Sequence, residues 1–196
     1  MSKIGLGSGL LLVAIVGLGG GQAQALPGQP VSEVAAWIQT HPTLQPAPGE
    51  ILLVRRTDSP SRRFTFEASI TAPGRAVAGD RKDIIRSESM SLFDTVNGVS
   101  QARMEESLAI VYGEDLYQDY RQARVLLRYP TPEMRSQAEN LNRPLLRYAE
   151  GELRQGDQYA YWVETVQTPD GKPQNGQITV LLLEDLPKLL AELESR

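Results

Sequence analysis

The chain contains no cysteine, one histidine and only four lysines. The missing thiols exclude a disulfide framework, a thiolate zinc site, an iron–sulfur cluster and a cysteine nucleophile. A single histidine excludes an HExxH motif and any site that needs two imidazoles. Basic charge is not in excess either. Against 24 Asp plus Glu stand 20 Lys plus Arg, for a net charge of −4. A dedicated nucleic-acid binder usually carries a strongly basic face, so that class is disfavoured. No N-x-S/T acceptor occurs, and beyond residue 25 there is no G-x-S-x-G elbow, no S-x-x-K and no glycine-rich phosphate loop. Composition is otherwise that of a globular protein, at 41% hydrophobic and 22% charged residues.

The first 25 residues read as an export signal. Lys3 gives the positive end, Leu10 to Val16 the apolar run, and Ala23-Gln24-Ala25 an A-x-A cleavage signature. The dense apolar part is far shorter than the roughly 20 residues of a spanning helix. Cleavage after Ala25 is therefore expected rather than an anchor, and no transmembrane span should remain. No Arg-Arg precedes the run and no cysteine follows it. These features point to the general secretory route and to the periplasm, a thylakoid lumen or secretion.

The rest divides into a proline-rich arm, residues 26–49, and one domain, residues 50–196. Inside the arm, Val31, Val34, Ala35 and Ile38 recur at helical spacing beside Trp37. Ser32 is the expected cap, and His41-Pro42 the stop. A helix this short needs a surface to dock on, in this chain or in a partner. His41 is expected at the surface of a mobile arm.

Residues 50–72 predict a β-hairpin around Thr57-Asp58-Ser59-Pro60-Ser61. Phe64, Phe66, Ala68 and Ile70 alternate with Arg63, Thr65, Glu67 and Ser69, as in a half-buried strand. A strand follows over 82–93 with Ser87, Ser89 and Ser91 outward, then a loop, then a helix from about Ser100 to Tyr112 stopped by Gly113. Period two resumes from Tyr120 to Tyr129. Thr131-Pro132 opens a short helix. Strands are expected over Leu145–Arg154, Tyr159–Gln167 and Ile178–Leu183, and a last helix from Asp185 and Pro187 to about Glu194. The sum is an α+β fold. A mostly antiparallel curved sheet of six or seven strands is packed by about four helices on one side.

Two clusters carry the candidate chemistry. Arg55, Arg56, Arg62 and Arg63 flank one turn. Alternation sends the members of each pair to opposite faces and predicts two cross-strand arginine pairs. Like charges so placed are relieved by an anion, which guanidinium forks hold bidentately. The ordinary alternative is a solvated hairpin end, eased by Asp58 and Glu67. The second cluster, Tyr112, Glu114, Asp115, Tyr117, Asp119 and Tyr120, is expected in a connector after the helix stop. It offers carboxylates for a hard cation or for hydrolysis and aromatics for a protein partner. Its acids lack EF-hand spacing, and its tyrosines also suit plain core packing. So do Tyr159, Tyr161 and Trp162, on both faces of one strand.

The expected function is a non-catalytic exported binding module. It would recognise an anionic ligand through the arginines or an envelope or membrane-associated protein partner through the tyrosine–acid segment, with no cofactor. A carboxylate-dependent hydrolase and a small lipid or pigment carrier are the alternatives.

Overall fold

Period-two alternation makes strands with two distinct faces, and helical spacing makes the layers that cover them. The computed structural model describes residues 26–74 and 83–196. The expected export signal at 1–25 lies outside the described residues, as does Lys82, where the third strand was expected to begin.

Seven strands form one open, wholly antiparallel sheet. They are β1 (Leu53–Ser59), β2 (Arg62–Ser69), β3 (Ser87–Asp94), β4 (Arg124–Tyr129), β5 (Ala149–Gln155), β6 (Tyr159–Gln167) and β7 (Pro173–Leu182). Their order across the sheet is β1-β2-β3-β7-β6-β5-β4. The helices are α1 (Val31–Thr40), α2 (Gln101–Tyr112), α3 (Glu114–Gln122), α4 (Pro132–Asn140), α5 (Pro144–Tyr148) and α6 (Leu186–Glu194). The α+β arrangement agrees with the sequence.

One face of the sheet is a complete core. Phe66, Met90, Ile178 and Val163 stand in one row across four strands, all essentially without solvent exposure. Burying one such side chain contributes about 2–3 kcal/mol. Val34 and Ile38 of α1 pack on this face, with Met104, Leu108 and Val111 of α2 and Leu116 and Tyr120 of α3. The helix α2 approaches β7 so closely that a Cβ at Gly176 would lie 2.6 Å from Val99 Cγ1 and 2.8 Å from Met104 Sδ. Only glycine leaves that room.

The arm closes on its own domain. Pro30 bridges Ile84, and Gly28 donates to the Ile85 carbonyl at 2.7 Å. Pro30, not Ser32, occupies the cap position of α1, without a side-chain cap. His41 is fixed rather than mobile. Its Nδ1 accepts from the amides of Thr43 and Leu44, and Nε2 lies 3.0 Å from the Val111 carbonyl. The anchored loop thus makes the ring a half-buried strut.

Other elements differ from expectation too: β3 begins at Ser87, and β7 begins at Pro173 rather than Ile178. The segment after Gly113 is helix α3, because Leu116, Tyr117, Tyr120 and Ala123 recur at helical spacing. The next strand accordingly starts at Arg124, not Tyr120. Pro144 opens the short α5 where a strand was expected from Leu145, and β5 begins only at Ala149. Ser100 and Thr131 cap α2 and α4, their hydroxyls accepting from the amides of Arg103 and Met134 at 3.2 Å.

Helices also lie on both faces, not one. Leu186, Leu189 and Leu193 of α6 pack with Leu153, Ala160, Leu181 and Tyr129, and Met134 of α4 joins them. These side chains cover the second face over β4, β5 and one end each of β6 and β7. Over β1, β2 and β3 that face carries mostly polar residues, with Phe93 among them, and its open part is the candidate site.

Candidate functional site

Antiparallel register fixes what the open face presents. One row reads Arg55, Thr65, Ser91, Gln177 and Glu164. The next reads Thr57, Arg63, Phe93, Asn175 and Val166. Every one of these ten side chains is exposed or half-buried. Together they line a groove of about 450 Å³. A smaller polar groove of about 190 Å³ shares Thr65, Ser91 and Gln177 with it and extends the face toward Glu67, Ser69 and Thr71.

The groove has two unlike walls. Arg55 and Arg63 rise from β1 and β2, each exposed. Neither forms an ion pair among the described residues, and the Arg63 guanidinium lies 4.3 Å from the centre of the Phe93 ring. That contact positions the cation without neutralising it. At the other wall, Glu164 Oε2 accepts from Tyr129 Oη and from Arg196 Nη1, both at 2.7 Å. Trp162 Nε1 donates to the same Tyr129 oxygen at 2.7 Å, and Arg196 lies 5.3 Å from the Trp162 ring. Burial and the nearby carboxylate push the Tyr129 phenol up, so it stays a donor. Gly151 makes this cluster possible: a Cβ there would lie 2.5 Å from Tyr129 Oη. Between the walls stand hydroxyls and amides. Ser89 and Thr179 share a hydrogen bond of 2.8 Å, and Gln177 Nε2 donates to Thr179 Oγ1 at 3.0 Å.

The arginine hairpin is therefore split. Arg55 stands opposite Thr65, Thr57 opposite Arg63, and Ser59 opposite Arg62. The turn carries a register shift between Thr57 and Ser59, so no arginine faces another directly. The expected cross-strand arginine pairs do not form; Arg55 and Arg63 are diagonal neighbours instead. The other two belong to the helix-covered face. Arg56 Nη1 donates to the Thr43 carbonyl at 2.6 Å. Arg62 stands opposite Asp94, with Nε 3.6 Å from Oδ2. Asp94 itself is held well below the usual carboxylate range, first by the Asn97 amide and then by Arg103. It organises the loop before α2.

The tyrosine–acid segment faces mainly inward. Tyr112 is buried and donates to Glu88 Oε2 at 2.5 Å. Tyr120, also buried, donates to Glu105 at 2.8 Å and Glu152 at 3.3 Å. Asp119 accepts from Tyr161 Oη at 2.6 Å and from the Asp157 amide at 2.9 Å. Tyr117 packs against the core. Glu114 and Asp115 are the exposed pair, in the first turn of α3. Among the described residues no group of three or more His, Asp or Glu side chains is placed to hold a metal ion.

Two titratable groups stand out on the helix-covered face, Glu88 buried and His41 half-buried. Burial pushes the Glu88 carboxyl up to about 7, against the opposing hydrogen bond from Tyr112. Its Oε1 is buried without a hydrogen-bond partner among the described residues. Burial also lowers the His41 imidazole, which outweighs its bond to the Val111 carbonyl. The two are joined through aromatic packing. Trp37 lies 4.5 Å from the His41 ring and stacks on Tyr112 at 6.0 Å.

Phe93, Asn175, Gln177 and Glu164 were not singled out from the sequence as site residues. The signal available was the alternation itself, which put Thr65, Glu67 and the three serines on one outward face. What joined Asn175, Gln177 and Glu164 to them was the pairing of β3 with β7, which no local pattern reveals. Comparison with family models, curated proteins and solved structures finds no match for the chain.

Proposed function

We propose that this protein is a non-catalytic binding module that holds an anionic ligand on the open half of its sheet. One observation carries the reading. Arg55 and Arg63 rise from the same face, free of ion pairs among the described residues, over a groove of about 450 Å³. Two diagonal guanidinium groups repel each other until an anion lies between them, and each offers a planar fork to carboxylate or phosphate. The neutral donors and acceptors between the walls would fix the ligand's orientation.

The hydrolase reading has less support. Asp119 is engaged by Tyr161 and Asp157, while Glu114 and Asp115 start an exposed helix turn. A carrier reading would need room between sheet and helices, where Val34, Ile38, Phe66, Met90 and Leu108 fill the layer. The compartment proposed is extracytoplasmic, on the strength of residues 1–25 as an export signal. No helix of the described residues is long and apolar enough to cross a membrane.

The test is calorimetric titration with citrate at rising salt. Affinity should fall steeply with ionic strength, and Arg55→Ala with Arg63→Ala should lower it at least tenfold, which is about 1.4 kcal/mol. Equal binding by the double variant at low salt rejects the arginine site.

A further inference from the structure

The open face is asymmetric along its length, and that asymmetry selects a class of ligand. Resting on the anion-binding reading above, we infer that the groove takes an acidic oligosaccharide, a chain of sugar rings bearing carboxylates. Four observations converge on this chemistry.

The first is charge. The positive wall is formed by Arg55 and Arg63 on β1 and β2, the opposite wall by Glu164 on β6. Glu164 Oε2 accepts from Tyr129 Oη and from Arg196 Nη1. The Glu164 carboxylate lines the groove and, with four lone pairs on its two oxygens, has acceptor capacity beyond these two bonds. A ligand lying along this row meets cations at one end and an acceptor at the other. It therefore needs an oxyanion and, farther along, hydroxyl or amine donors.

The second is the middle of the row. Thr65, Ser91, Asn175 and Gln177 both donate and accept. Adjacent ring hydroxyls do the same, so each can be matched. A simple polyanion accepts from these groups but brings no donor for their oxygens.

The third is length. From β1 to β6 the row crosses four inter-strand steps, about 19 Å in all. A single small anion covers the arginine wall only. An extended chain of several rings reaches both walls.

The fourth separates sugar from peptide. Peptides that extend a sheet usually join it at an edge, through backbone bonds. Here the accessible surface is a face of side chains, and the β1 edge is already guarded. The Arg55 amide, on the outer side of β1, donates to Glu50 Oε1 at 2.9 Å. Phe93, with the Arg63 guanidinium carbon 4.3 Å from its ring centre, offers a planar aromatic group beside a cation, which suits a ring better than a twisting backbone.

The experiment is titration of the full chain with tetragalacturonate, its methyl ester, tetraglutamate and sodium sulfate. Tetragalacturonate is expected to bind at least tenfold more tightly than the ester and than tetraglutamate. Arg55→Ala and Arg63→Ala should each lower its affinity about tenfold. Gln177→Ala and Ser91→Ala, which change no charge, should each lower it several-fold while leaving sulfate binding unchanged. Far-ultraviolet circular dichroism and melting curves establish that each variant is folded. Equal binding of tetragalacturonate and tetraglutamate, both lost with the arginines, overturns the sugar inference and keeps the anion site. Binding of sulfate alone has the same meaning. Unchanged binding of every probe in the arginine variants overturns both.

Discussion

The two faces of this sheet share strands, yet they obey different rules. On β2, Phe66 has no exposure and sits in the central core row, while its neighbour Thr65 points into an open groove. The helix-covered face is filled by α1, α2 and α3. The second face is filled only where α6 and α4 lie. The same strands therefore carry stability on one side and exposed recognition chemistry on the other. A sheet with one dry face can leave half of the second wet, because a single complete core suffices for a domain of this length.

The largest expected effect breaks the covered face. Phe66→Ala should destabilise the protein by about 3–5 kcal/mol, whereas Thr65→Ala should stay within about 0.5 kcal/mol. Urea denaturation of both variants checks the contrast, and similar losses would mean that the faces are not energetically distinct. The next effect tests the half-cover of the second face. Leu189→Ala should cost about 2–5 kcal/mol, since its fully buried side chain holds α6 on the sheet.

A third prediction uses pH. The Glu88 carboxyl is pushed up to about 7 by burial, from an ordinary 4.5. The folded state thus keeps a proton that the unfolded chain has lost. Stability from this group is complete below 4.5 and declines as pH rises through about 7, by up to about 3 kcal/mol. Glu88→Gln should remove that decline in denaturation curves taken on either side of the window. His41 works in the opposite sense. Its imidazole is lowered by burial, so its contribution is complete above 6.5 and is lost as pH falls below it. His41→Asn should flatten the acid limb while leaving the alkaline decline in place.

The smallest effect sharpens the comparison most. Arg63→Ala should change stability by no more than about 0.5 kcal/mol, because it is exposed and without an ion pair among the described residues. The same variant should lower ligand affinity about tenfold. A large stability loss would instead make Arg63 a structural residue on Phe93.

Much of the fold was legible because its signals are local. The alternation of Phe64, Phe66 and Ala68 with Arg63, Thr65 and Glu67 marked both faces of β2. Thr131-Pro132 marked the start of α4 and Gly113 the end of α2. Helix α3 was harder. Its acids and tyrosines look like a polar connector until Leu116, Tyr120 and Ala123 are seen to bury one side. The site was half legible. Alternation separated Arg55 from Arg56, and Arg62 from Arg63, but could not say which member would find a partner. Thr43 and Asp94 decided that, by taking Arg56 and Arg62.

By itself the sequence determined what chemistry is absent, where strands alternate and where α4 is capped. Those properties depend on residue types and on neighbours a few positions apart. Tertiary structure alone decided which face would be covered, which two arginines would stay free of ion pairs, and which groups would titrate abnormally. Glu164 meets Tyr129 and Arg196, and His41 meets Val111, only because strand order and helix packing bring distant segments together. Such contacts depend on the closure of the whole sheet, and no local pattern encodes them.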